Sequence, residues 1–119
     1  MKPKINWKEI KTVLLDMDGT LLDLYFDYYF WQEYLPEQWA RKNNMSVKTA
    51  KSKLLDWYRQ ESGTLSWYCL DFWTEKLNFD VFALKADIRH LIKYRPHAEY
   101  FLKQLNSLDF SLTMVTNAH

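Results

Sequence analysis

Asp16 and Asp18 stand one residue apart, and Gly19-Thr20 follows them directly. Just ahead lies Thr12-Val13-Leu14-Leu15, a short apolar and partly β-branched run that reads as a buried strand. A buried strand ending in two carboxylates is costly unless a cation or several hydrogen bonds replace the lost hydration. In open α/β sheets, ligands also gather at the carboxyl ends of the strands. The pair suits attack on phosphorus. Asp16 can act as a nucleophile and form an aspartyl-phosphate, while Asp18 can protonate the leaving oxygen and then take a proton from water. Two close carboxylates repel each other, and a hard, oxygen-seeking ion such as Mg²⁺ relieves that repulsion and shields a phosphate. Near the other end of the chain, Thr116 and Asn117 offer a hydroxyl and an amide. These are neutral donors, able to hold a phosphoryl oxygen without competing for the metal.

Three plainer readings compete with this one. Asp-Gly is a common hairpin turn, but Leu21-Leu22-Asp23-Leu24 does not alternate as a clear partner strand. A calcium loop also begins Asp-x-Asp, yet it wants glycine sixth and glutamate twelfth; here Gly19 is fourth and Asp27 twelfth. Asp18 or Thr20 could instead cap a helix. The order of strand, carboxylate pair and Gly-Thr turn favours the catalytic reading.

The elements that must position these residues follow from the pattern. Residues 24–41 are dense in aromatics, and Trp31, Tyr34 and Leu35 form a helical stripe that Pro36 interrupts. Ser46 is placed to cap a helix reaching Glu61, with Val47, Ala50, Leu54, Trp57 and Tyr58 at helical period. A second helix is expected over 65–77 and a third, capped by Asp80, over 81–93 with Leu84, Ile88, Leu91 and Ile92 inward. Arg95-Pro96 marks a boundary, followed by a helix over 97–107 with Ala98, Phe101, Leu102 and Leu105 inward, and a strand over 110–115. A right-handed crossover makes the two strands parallel. They then finish on one edge, with Asp16 and Asp18 beside Thr116 and Asn117. The helices between are too long for a connection and read as a small inserted domain.

Composition sets the outer bounds. The 119 residues carry a net charge of +1, which gives no electrostatic case for nucleic acid. No stretch approaches the roughly 20 apolar residues of a membrane span, and the lone Cys69 fits a reducing compartment. A soluble protein of the cytoplasm is the expectation. Only two glycines and 18% aromatic residues point to helical packing rather than repeated strand-turn-helix units.

Asp16-Met17-Asp18-Gly19-Thr20 resembles the first motif of the haloacid dehalogenase superfamily, and Val115-Thr116-Asn117 resembles its second. The helical insertion is similar to that superfamily's C1-type cap. The run from Leu14 to Leu24, Tyr29-Phe30-Trp31, Trp67-Tyr68-Cys69-Leu70-Asp71 and Thr116-Asn117-Ala118-His119 resemble the bacterial GMP/IMP nucleotidase branch. The resemblance implies an α/β protein, mostly α by content. Its fold would be an incomplete Rossmann-like core of two parallel strands (residues 1–23 and 95–119) with a helical cap (residues 24–94) inserted between them. It implies Asp16 as nucleophile and Mg²⁺ ligand. Asp18 would be the acid/base and would bind the metal through its backbone carbonyl, and a carboxylate there argues for a phosphatase over a dehalogenase. Met17, Gly19, Thr20, Thr116 and Asn117 would line the phosphate. The implied substrate is a purine nucleoside monophosphate, with a phosphomutase or a non-catalytic helical module as alternatives.

Phe26, Tyr28, Tyr29 and Asp23 lie nearest the acidic turn and are candidates for substrate contact, while most cap aromatics are expected to fill the cap's own core. Family members carry a third-motif lysine and a fourth-motif acidic ligand that have no counterpart in this sequence. The expectation is therefore a truncated form, weakly active or inactive. Two parallel strands leave open edges, so such a form is expected to be a homo-oligomer.

Overall fold

The structure is a computed structural model and describes residues 2–118. In chain order the elements are β1 (Thr12–Leu15), α1 (Tyr25–Tyr29), α2 (Leu35–Lys42), α3 (Val47–Glu61), α4 (Leu70–Leu77), α5 (Val81–Asp87), α6 (Ala98–Ser107) and β2 (Ser111–Met114). They divide into two compact units. One holds residues up to Asp23 together with Tyr94–Thr116; the other holds Leu24–Lys93, with Asn117 and Ala118 grouped with it.

In the first unit β1 and β2 pair in parallel, Thr12 opposite Ser111 and Leu15 opposite Met114. Burial alternates along β1, Val13 and Leu15 facing in. Leu15 is buried with Leu21 and Ala98, and Val13, Leu102 and Leu112 pack against them. Helix α6 thus supplies the apolar cover for one side of the pair. Leu14 and Val115 remain 66% and 56% exposed.

The second unit has a much larger core. Phe30, Leu35, Leu54, Trp73 and Val81 are fully buried, ringed by further aromatics. Trp73 packs its ring edge-on to Tyr58 and Phe72 at centroid separations of 5.4 and 5.2 Å, and its indole N–H donates to the Trp67 carbonyl at 3.0 Å. The Tyr58 hydroxyl donates to the Trp31 carbonyl at 2.9 Å. Burial pushes its pKa above the usual tyrosine value, so it stays a donor. Ser46 caps α3, its Oγ accepting from the Thr49 N–H at 3.1 Å, and Asp80 caps α5 through the Ala83 N–H at 3.0 Å.

Several local expectations are corrected. The helix expected over 65–77 is a 3₁₀ turn at Leu65–Tyr68 and then α4, separated by Cys69 in an extended conformation. The helix expected over 81–93 stops at Asp87, where Ile88 leaves helical geometry and a short 3₁₀ turn, Arg89–Leu91, follows. Ile88 stays buried, but Ile92 is exposed. Pro96 lies in the turn before α6 rather than in its first turn. His97 takes a left-handed φ of 68° at the helix entrance. Phe101 is exposed rather than inward, and the last strand is shorter than 110–115. With only two glycines available, Asn44, Asn78 and Asp109 also supply left-handed turn residues. Asn and Asp tolerate that region better than other side chains.

Between α1 and α2 the helix passes through a single π-helical turn, Phe30–Tyr34, closed by the Leu35 N–H bonding the Phe30 carbonyl five residues back. Pro36 follows at once in the first turn of α2. Proline has no N–H to give and its ring crowds the carbonyl four residues earlier. The wider turn accommodates it without ending the helix.

Candidate functional site

Asp16 is the first residue beyond β1. The Val115 N–H donates to the Leu15 carbonyl at 2.8 Å, carrying the parallel pairing one step past β2. Asp16 and Thr116 therefore leave the same edge of the sheet in the same direction. Asp16 is exposed, and its Oδ1 accepts from the Met17 N–H at 2.8 Å, which orients the carboxylate.

The turn that follows is tied to its own backbone. The Met17 carbonyl accepts from Thr20, Leu21 and Leu22 at 3.0–3.3 Å, and the Gly19 N–H donates back to the Leu22 carbonyl at 2.9 Å. Gly19 has φ 77°, a region where any β-carbon is strained. Buried Leu21 anchors the turn from below, and the Arg95 N–H bonds its carbonyl at 2.9 Å. Leu22 also bridges to Asp18 and, antiparallel, to Tyr94. These tethers at Leu22, Tyr94 and Arg95 are missed by sequence reasoning. They act through backbone groups, which leave no side-chain signal.

The sequence-predicted residues fall into two sets. Asp16, Met17, Asp18, Gly19, Thr20, Asp23 and Thr116 all belong to the sheet unit. Asp16, Asp18, Thr20 and Thr116 are exposed, while Met17, Gly19 and Asp23 are half-buried. Asn117 is exposed and next in the chain after Thr116. Phe26, Tyr28 and Tyr29 lie on α1 in the helical unit. Phe26 and Tyr29 are half-buried against its core, whereas Tyr28 is 61% exposed. Among the described residues no group of three or more His, Cys, Asp or Glu side chains could hold a metal. Nor is any helix among them long and apolar enough to cross a membrane.

No protein-family profile matches the chain. Its fold matches the crystal structure of a HAD phosphatase from Thermococcus onnurineus with a TM-score of 0.76 and 22% identity, over 92% of this chain and 52% of that one. The chain is also 41% identical, along all 119 residues, to the GMP/IMP nucleotidase YrfG of Escherichia coli (strain K12). In fold, this chain is similar to HAD phosphatases. It is as similar to the protein of the same name from Shigella flexneri, and in both cases it spans 54% of the relative's length. By that likeness of fold the two-stranded pair is an incomplete HAD-like core, with the helical unit inserted in sequence between its strands.

Proposed function

We propose that the chain carries the nucleophile-bearing part of a phosphomonoesterase acting on purine nucleoside monophosphates. One observation carries this: a carboxylate pair on a tethered turn at the end of β1, with Thr116 leaving the neighbouring parallel strand at the same edge. The likeness to GMP/IMP nucleotidases supports the choice of substrate.

Asp16 attacks phosphorus through the oxygen not engaged by the Met17 N–H. The bond to the ribose oxygen breaks, and Asp18 gives that oxygen its proton. Water then attacks the aspartyl-phosphate while Asp18 takes its proton, releasing inorganic phosphate and restoring Asp16 as the carboxylate and Asp18 as the protonated acid. Thr116, Asn117 and the backbone of residues 17–20 supply neutral donors for the phosphoryl oxygens.

The donor set fits Mg²⁺, which binds through one or two carboxylates and keeps several waters. The Asp16 carboxylate and the Asp18 backbone carbonyl would be such oxygen donors, and both residues are exposed. When bound there, the ion offsets the mutual repulsion of phosphate and carboxylates.

Amide resonances provide a test that does not depend on turnover. Adding GMP with Mg²⁺ to the 119-residue chain is expected to shift the amides of residues 16–20 and Thr116. Shifts confined to other residues, or none, refute the proposal.

Exposed Leu14 and Val115 on a two-stranded sheet further support self-association of this chain. Light scattering at micromolar concentration is expected to give a mass above that of one chain, and a monomer would contradict it. The single half-buried cysteine, Cys69, is compatible with the reducing cytoplasm.

A further inference from the structure

Within the helical unit, the ammonium of Lys85 on α5 lies 5.5, 5.3 and 5.4 Å from the ring centroids of Phe26, Phe30 and Trp31. It also pairs with Asp27 Oδ1 at 3.3 Å. The same oxygen accepts from the Trp31 indole N–H at 3.2 Å. Three rings and a carboxylate thus close around one ammonium, whose side chain is only 20% exposed. Phe26 and Phe30 are four residues apart, and so are Asp27 and Trp31. Two neighbouring stripes of one helical stretch therefore each place two members of the group one above the other.

The walls of this cage do not depend on its occupant. Phe30 is fully buried and meets Trp31 edge-on at 5.0 Å. Trp31 in turn packs on Tyr58 and Trp73, each at 5.8 Å. These contacts persist when Lys85 swings out on its flexible stem. An ammonium inside such a ring of aromatic faces is how quaternary ammonium ions are recognised. By contrast, Lys42 lies over the single ring of Phe79, the ordinary surface case.

We propose that Phe26, Phe30, Trp31 and Asp27 form a binding site for an organic ammonium ion, occupied in this structure by the chain's own Lys85. A primary ammonium is strongly hydrated. An alkylated one gives up less water on entering, so it can displace the lysine. Lys85 is tethered and acts at high effective concentration, so a free cation meets the reduced affinity of a site that must first be vacated. Displacement would fill the cage while cutting the link between α5 and α1. The proposal does not rest on the phosphomonoesterase reading, since all its residues lie in the helical unit.

The test titrates the 119-residue chain with tetramethylammonium chloride at constant ionic strength, following the Trp31 indole N–H and the Lys85 methylene resonances. In the wild type both are expected to move, the methylenes toward the position of a free lysine as they leave the ring currents. Lys85→Ala, with the cage vacated, is expected to bind the ion about 10-fold more tightly. Neutral tert-butyl alcohol, of similar size, is expected to bind neither form. Unmoved Lys85 methylenes in the wild type would overturn the proposal. So would equal affinity in wild type and Lys85→Ala, or equal binding of the alcohol. The wild-type titration needs no variant and decides alone if Lys85→Ala does not fold.

Discussion

On the proposed phosphomonoesterase reading, whatever Mg²⁺-dependent phosphate release from GMP the chain supports is expected to fall by a factor on the order of 10⁴ or more in Asp16→Asn, the scale expected when a covalent nucleophile is lost. The amide keeps the shape of the side chain, and its oxygen can still accept the Met17 N–H that orients Asp16. Folding should therefore be intact and the loss should fall on chemistry. An amide oxygen is far less nucleophilic than a carboxylate, so no aspartyl-phosphate forms. Phosphate release measured on wild type and variant side by side is the check. Equal rates in the two would show that Asp16 does not attack phosphorus. The companion change Asp18→Asn leaves the nucleophile but takes away the proton donor, and a smaller loss of roughly 10²–10⁴-fold is expected.

The largest effect on stability is expected at the centre of the helical unit. Trp73 is 1% exposed and touches the rings of Trp31, Tyr58, Trp67 and Phe72. Trp73→Ala deletes those contacts, strands the Trp67 carbonyl and leaves a large void. Such truncations cost about 3–5 kcal/mol. Small domains have only about 5–15 kcal/mol in all, so the helical unit should lose most of its resistance to urea. The midpoint of a far-ultraviolet circular dichroism melt in urea measures this, and an unchanged midpoint would refute the packing described. Trp73→Phe should cost less, because a ring remains to meet Tyr58 and Phe72.

The features most legible in the sequence are those where a single residue type has one physical use. Ser46 and Asp80 each cap the helix expected after them, because a short oxygen-bearing side chain ahead of an apolar period has little else to do there. β1 is legible because a short apolar, partly β-branched run bounded by polar residues reads as a strand. Less legible is the phase of a helix. Trp67, Phe72, Trp73 and Leu77 all face apolar surroundings, so apolar spacing runs through Cys69 although the backbone there is extended. In the same way Ile88 and Leu91 keep packing inward after α5 has tightened into a 3₁₀ turn. Burial fixes which side chains point inward, and more than one backbone path can deliver them. The π turn has no pattern of its own; Pro36 hints at a disturbance without saying whether the helix ends or widens. On the site, the placement of Asp16 beside the end of β2 follows from topology, whereas the knot around the Met17 carbonyl does not. It consists of amides that every residue possesses.

Among the described residues the two units differ sharply in what they bury: Leu15, Leu21, Ala98 and Leu105 for the sheet unit, against a cluster of twelve residues for the helical one. Evolutionary freedom is therefore unevenly distributed along the chain. A conservative swap among many interlocked aromatics can be absorbed by neighbours, but the few buried residues of the sheet unit have no such reserve. Drift at Leu15, Leu21 or Ala98 should loosen the acidic turn well before it erodes helix content, so lineages can exchange side chains of the helical unit more readily than the few beneath that turn.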